Sequence, residues 1–446
     1  MKGSIIPREA PMRGAAQLGV LNRLARKVLL ARLRGLRRGM LTVVEGAERK
    51  TFGTLTPGCS IRATLSVHDP RTYSFATFGG SVGAAEAYIQ GWWSADDLTS
   101  LCRLFAINQD EMMNLEKGLA RLSTPLFRLL HFLNRNHRAG SRRNIAAHYD
   151  LGNDFFRLFL DPALVYSSAV FLDPDESLEV AQRRKLDLIC RKLELQPGQR
   201  LLDIGCGWGA LAIHAAQTYG VEVLGITLSA PQAEVATAAA RRAGVDDRVA
   251  FEVRDYRDVT GRYDAISSIG MFEHVGKGQL AKYFSSIQKL LDPEGVFLNH
   301  GIVTRDRHIV RVTPTFVNTY VFPDGELVTV DQVIGEAEEA GFELRDVESL
   351  RTSYALTLRH WLAGLEENHV AAVESVGETT YRIFRLFIAG AAVAFESSAI
   401  SVYQMVLEGA DRPWTFGRRH LVANDDRAEK LSVIRSPDSA VRSPLR

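Results

Sequence analysis

Cysteine is scarce in this chain, with four among 446 residues. Cys59, Cys102, Cys190 and Cys206 form no Cys-x-x-Cys pair. That excludes a disulfide framework and a cysteine zinc site, so no metal is expected, and a reducing cytoplasm is the simpler setting. Charge of one sign is lacking as well. The 54 Lys and Arg stand against 52 Asp and Glu, for a formal charge of +2, so net charge gives no case for a nucleic-acid partner. Long apolar runs are also missing. The stretch 387–395 falls far short of the ~20 residues that a spanning helix needs, and no secretory signal is apparent. The chain is expected to touch a membrane without crossing it.

The length is enough for two domains. Residues 18–38 read as a helix, with Leu21, Leu24, Val28, Leu29, Leu33 and Leu36 at helical spacing. Arg23, Arg26, Lys27, Arg32, Arg34, Arg37 and Arg38 lie between them with no acid. Such a helix suits an anionic bilayer surface, or equally a helix packed on its own domain with a solvated basic face. Strand-like runs follow over 41–78, with turns at Thr56-Pro-Gly58 and His68-Asp-Pro70, then a helical pattern over 82–105 and a polar linker over 134–143. This sets residues 1–137 apart as an N-terminal accessory domain, 138–423 as the catalytic segment and 424–446 as a polar, disordered tail.

From residue 145 onward strands and helices alternate, which predicts an α/β fold, Rossmann-like, with a parallel sheet covered on both faces. The run Leu201-Leu-Asp-Ile-Gly-Cys-Gly-Trp-Gly209 takes an apolar strand into a glycine-rich turn and a helix. Glycine lets the backbone turn tightly and a ligand approach closely. A dinucleotide fold uses a similar turn. The turn after Asp203, Thr227, Asp255, Glu273 and His300 all fall at strand ends, where such sheets bind ligands.

A nicotinamide fold places an acid at the end of the second strand, and here that strand ends Gly225-Ile-Thr-Leu-Ser229 with none. No phosphate-binding Lys-Ser/Thr follows the first turn. The next strand ends Arg254-Asp-Tyr256, where the acid suits an adenine amino group and the aromatic suits its ring. A nucleoside cofactor without phosphates, S-adenosylmethionine, fits this pattern.

The segments His148-Tyr-Asp-Leu-Gly-Asn-Asp154, Tyr166-Ser-Ser-Ala169, Leu202-Asp-Ile-Gly-Cys-Gly-Trp-Gly209, Thr227-Leu-Ser229 with Gln232, and Asp255-Tyr-Arg-Asp258 resemble the cyclopropane-fatty-acyl-phospholipid synthase family. That family also includes the mycolic acid cyclopropane synthases. Gly270-Met-Phe-Glu-His-Val-Gly276, His300-Gly-Ile302, Tyr320-Val-Phe-Pro-Asp-Gly325 and Tyr354 with Thr357, Leu358 and Trp361 continue the resemblance, which runs over about residues 145–400. It implies a class I methyltransferase fold that transfers a methylene unit from S-adenosylmethionine to a cis double bond in the acyl chains of membrane phospholipids.

The resemblance also implies a bound bicarbonate as general base, held by Glu273, His300, the backbone of Ile302, Tyr354 and Ser168. Cofactor contacts are expected from Tyr166, Ser167, Asp203, Gly205, Gly207, Thr227, Leu228, Gln232, Asp255 and Tyr256. Tyr320, Phe322 and Trp361 are candidates to stabilise a cation through their faces. His148 and Asp154 are expected to shape the site entrance or support the cofactor. Cytoplasmic placement on the inner face of the membrane and a homodimer complete the expectation. Two positions depart from the family. Ser168 stands where most members have cysteine, which leaves open a product with a methyl or methylene branch, or a silent lipid-binding paralogue. Gly301 stands where threonine is common.

Overall fold

The computed structural model describes residues 15–109, 151–305, 316–322 and 325–409. The N-terminal stretch before Ala15, the expected linker at 134–143, His148, Pro323, Asp324 and the tail at 424–446 lie outside the described residues. Compactness divides the chain into two units, one drawn from 1–160, 306–325 and 355–400, the other from 161–305, 326–354 and 401–446. The sequence reading kept 355–400 within the catalytic segment 138–423, whereas compactness groups that stretch with the N-terminal elements.

In the first unit, helix α1 (Ala15–Leu33) precedes strands β1 (Gly39–Glu45), β2 (Glu48–Thr54) and β3 (Arg62–Val67). Helix α2 (Arg71–Ile89), β4 (Trp93–Ala95), α3 (Leu98–Ile107) and the short α4 (Asn153–Arg157) follow. The strands make a sheet of order β2-β1-β3-β4. Its interior holds Ala25, Leu33, Leu41, Val43, Tyr73, Tyr88 and Leu104. Buried Asn108 ties α3 to the chain before β1, accepting from the amides of Arg37 and Arg38 and donating to the Arg38 carbonyl. The later helix His369–Glu396 belongs to the same unit, where Arg103 reaches Glu396 at 2.8 Å.

One expectation fails here. Residues 71–78 are helical, not strand-like. His68-Asp-Pro70 starts a helix: the Asp69 carboxylate accepts from the Arg71 amide at 2.8 Å, satisfying one orphan donor of the first turn.

The second unit is built on α5 (Leu178–Lys192), β5 (Arg200–Ile204), α6 (Ala210–Tyr219), β6 (Glu222–Thr227), α7 (Ala230–Ala243), β7 (Val249–Val253) and β8 (Tyr263–Ile269). It continues with α8 (Leu280–Leu290), β9 (Leu291–Thr304), α9 (Val330–Glu339), β10 (Phe342–Ser349) and β11 (Ile400–Gly409). The sheet order is β10-β11-β9-β8-β5-β6-β7. The pairs β5–β6, β6–β7, β5–β8 and β8–β9 are parallel, and β10–β11 is antiparallel. This is the expected α/β fold.

Strand alternation explains the two covered faces. Leu202, Ile204, Ile266 and Phe297 point into a core with Tyr283, Phe284, Val333 and Phe342. Their neighbours Leu201, Ala265, Val296 and Leu298 point into the opposite core with Leu186, Ile189, Leu211 and Ala215. The order reverses beside β5, whose neighbours are β6 and β8, which places the ligand crevice expected of such sheets at the carboxyl ends of β5 and β8.

Candidate active site

The turn after β5 is built by glycine. Gly205, Gly207 and Gly209 have φ of 78°, 54° and 85°, values that side-chain-bearing residues rarely adopt. The amides of Gly205 and Cys206 both donate to the Ile226 carbonyl, which anchors the turn to β6. A Cβ on Gly209 would lie 2.5 Å from the Phe251 ring, so the helix α6 starts where only glycine fits. Cys206 is buried, and burial pushes its thiol up, out of nucleophilic use.

Asp203 is buried beneath this turn and accepts from the Ser267 hydroxyl at 2.8 Å. Burial pushes its carboxyl up to about 6, against the pull of Ser267 and the Lys185 ammonium. Its visible contacts are therefore inside the protein.

The loop before Tyr166 folds over buried Asp161, whose carboxylate accepts from the amides of Ala163 and Val165 at 3.0 and 2.9 Å. Leu164 between them has φ of 58°. Lys185 donates to the Ser167 hydroxyl at 3.0 Å, and Gln182 donates to the Ser167 carbonyl at 2.9 Å. Burial pushes the Lys185 ammonium down to about 8, with Asp161 and Asp203 opposing that shift. Sequence reasoning missed Lys185 and Gln182. The signal was a lysine on the apolar stripe of α5, four residues after Ala181 and four before Ile189.

On the other side of the crevice, Thr227 donates to Gln232 Oε1 at 2.8 Å and accepts from the Ser229 amide. Leu228 is 75% exposed at the end of β6, a large apolar side chain left to solvent beside the turn. Asp255 binds Arg257 through its amide and guanidinium, at 2.9, 2.8 and 2.6 Å. That pairing holds the Asp255 carboxyl below its ordinary range. It stays ionised, with lone pairs left to accept from a ligand. The Tyr256 ring sits 5.6 Å from that of Tyr283, edge on.

The chemical groups gather at the ends of β8 and β9. Ile269 pairs with His300, and the Gly270 amide donates to the His300 carbonyl at 2.8 Å. A short 3-10 turn over Phe272–His274 then brings Glu273 back, and its Oε1 accepts from the Ile302 amide at 2.7 Å. Oε2 of Glu273 is buried with no hydrogen-bond partner among the described residues. Burial pushes this carboxyl up to about 7, with the Ile302 amide opposing. His300 is 1% exposed, and burial, then Lys185 and Lys192, push it down to about 3, so the ring is neutral. Burial also raises the Tyr354 phenol, with Tyr166 and Glu273 adding to the shift, so Tyr354 shares their electrostatic neighbourhood and keeps its proton.

Two of the expected anion donors are engaged within the protein. The Ile302 amide serves Glu273, and the buried Ser168 hydroxyl donates to the Ala169 carbonyl at 3.0 Å. Gly301 packs against Phe272, a contact sequence reasoning did not anticipate. Tyr320, Phe322 and Trp361 belong to the first unit. There Tyr320 donates to Glu86, Phe322 meets the edge of Phe387 and Trp361 lies near Phe159. Asp154 is an exposed residue of α4 in that unit.

A family model described as mycolic acid cyclopropane synthetase matches residues 136–405. The chain is 43% identical over 282 residues to a probable fatty acid methyltransferase of Pseudomonas putida, covering 62% of this chain and 71% of that one. It is 36% identical over 349 residues to the cyclopropane-fatty-acyl-phospholipid synthase of Escherichia coli K12, covering 78% and 88%. A mycolic acid cyclopropane synthase solved with SAH and CTAB superposes with a TM-score of 0.56 at 36% identity, covering 59% of this chain and 97% of that one.

Proposed function

Since the chain belongs to the mycolic acid cyclopropane synthetase family and is an S-adenosylmethionine-dependent methyltransferase, we propose that it closes a cyclopropane ring on the cis double bond of unsaturated acyl chains in membrane phospholipids. The methylene carbon comes from the cofactor methyl. One observation carries this reading: a glutamic acid whose Oε2 is buried with no partner among the described residues, and a neutral histidine, at the carboxyl ends of the adjacent strands β8 and β9.

An alkene is a weak nucleophile, so much of the rate must come from holding it against the sulfonium methyl in a dry site. The new methyl must then lose a proton before the ring closes. Bicarbonate, when bound, would supply the base for that step. The residues fit such an anion. Glu273, whose carboxyl burial raises to about 7, can present a proton from Oε2. Neutral His300 offers one N–H, and Tyr354 keeps its phenolic proton. The Ile302 amide fixes the Glu273 carboxyl in place, and Lys185 fixes Ser167 on the cofactor side.

Membrane attachment from the cytoplasmic side belongs to the same proposal, with residues 1–137 as the lipid-contacting part and a homodimer as the working form. It is supported by one face of α1, where Val20 and Leu24 are 58% and 52% exposed beside exposed Arg23 and Lys27, with Arg34 just past the helix. Arg26 lies apart from that role, bound to Glu45 at 2.7 Å and to Glu48.

A second reading rests on Ser168 and on the similarity to a fatty acid methyltransferase: after the same first step, a 1,2-hydride shift and proton loss from the new methyl give a methylene branch, and proton loss from the methyl-bearing carbon gives a methyl-branched alkene. Purified protein, S-adenosylmethionine and cis-unsaturated phospholipid vesicles distinguish them. Acyl chains heavier by one methylene unit with upfield cyclopropyl protons are the expected product. Vinylidene protons at the same mass would replace it with the branching reaction, and no product despite cofactor binding would overturn both.

A further inference from the structure

The apolar strand β11 carries one polar side chain that packing does not explain. Gln404 is fully buried between Val402 and the run Met405, Val406, Leu407. Its amide nitrogen lies 3.3 Å from Nδ1 of His300, a residue 104 positions earlier in the chain. Its carbonyl oxygen is buried with no partner among the described residues. A buried amide with an unmet oxygen is costly in a strand that valine or leucine would fill at no such cost.

The relation to His300 gives the glutamine a purpose. A neutral imidazole carries one proton on one of two nitrogens, and the partner of one nitrogen decides which. We propose that Gln404 is a positioning residue that donates to His300 Nδ1 and thereby fixes the tautomer with its proton on Nε2, the edge of the ring turned from β11. The amide orientation agrees with this. With the amide nitrogen toward the ring, one amide hydrogen goes to Nδ1. The ring is neutral because it is buried and because Lys185 and Lys192 repel a second proton. A neutral histidine in the wrong tautomer would turn a lone pair toward an oxyanion, which repels it. With Gln404 in place, Nε2–H is a donor ready for an anion.

This inference rests on the proposed reaction for its catalytic meaning, but the tautomer is a property of the free protein. The test uses full-length protein labelled with 15N-histidine, with His300 assigned by comparison with a His300→Gln variant. Two-bond imidazole correlations should report a protonated Nε2 and an unprotonated Nδ1. In Gln404→Met, which keeps length and loses the donor, the His300 signals should move toward a tautomer mixture. Its kcat should fall on the order of 10–100-fold, with KM for S-adenosylmethionine unchanged.

A protonated Nδ1 in the wild-type protein would overturn the proposal, and so would a Gln404→Met variant with unchanged His300 signals and kcat. The wild-type spectrum decides the point even if the variant fails to fold. If the wild-type protein makes no lipid product, the proposed reaction fails while the tautomer result stands on its own.

Discussion

Gly301 lies directly under the Phe272 ring: a Cβ at Gly301 would stand 2.0 Å from Cε1 of Phe272. Threonine, common in the family at this position, does not fit while that ring is there. Phe272 is buried in the turn that delivers Glu273, so the glycine and the phenylalanine are one packing solution. Gly301→Thr should cost roughly 1–3 kcal/mol of stability as an overpacked site, read from the urea midpoint. Adding Phe272→Leu should return part of that loss, making the double variant more stable than the sum of the singles predicts. Additive losses would mean that the cost of Gly301→Thr does not come from the Phe272 ring.

The sheet and the turn of the second unit were legible in sequence, because strand and helix periods alternate cleanly from Arg200 to His300 and glycines mark the turn. The buried supports were not. Lys185 looks like one more charge on a helix until the fold sets Ser167 beside it, and Gln404 looks like a stray polar residue until β11 enters the sheet next to β9. Both acquire meaning from partners that local pattern cannot supply. Residues 71–78 misled for the opposite reason: their aromatic and β-branched side chains have strand propensity, and the segment is nonetheless helical, with Tyr73 in the interior.

Glu273→Gln should abolish ring formation, with a loss of at least ~100-fold, while SAH affinity measured by calorimetry stays within about twofold. A matching loss of SAH affinity would make Glu273 a structural residue.

The same site makes a pH prediction with two opposing signs. The Glu273 carboxyl is raised to about 7 in the folded chain, so its contribution is complete below its unfolded value near 4.5 and is lost as pH rises toward 7. His300 is depressed to about 3, so its contribution is present above about 6.5 and is lost as pH falls toward 3. Relative to Glu273→Gln, the wild-type protein should lose stability between pH 4.5 and 7. Relative to His300→Gln, it should gain stability between pH 3 and 6.5. Urea midpoints across that range check both, and parallel curves would contradict the burial of these groups.

Lys185→Met removes the donor to the Ser167 hydroxyl and the cation facing Asp161 and Asp203. With Ser167 no longer held, SAH should bind about tenfold more weakly. Ser167→Ala should weaken it by a similar factor, and the double variant should be no worse than either single change. Fully additive losses would mean that Lys185 acts on the cofactor by another route.

The exposed face of α1 makes the membrane reading testable without disturbing the fold. Leu33 and Leu36 are buried and Arg26 is tied to Glu45, so deleting the helix would damage the first unit and confuse the result. Arg23, Lys27 and Arg34 are exposed, and changing all three to glutamine leaves the buried face alone. A basic residue near an anionic bilayer contributes about 1 kcal/mol, so the triple variant should bind phosphatidylglycerol vesicles on the order of 100-fold more weakly at low salt. Raising the salt should weaken the wild-type protein toward the same level, because the attraction is screened. SAH affinity should not change in the triple variant. Vesicle affinity that survives the triple substitution would move the membrane contact away from α1.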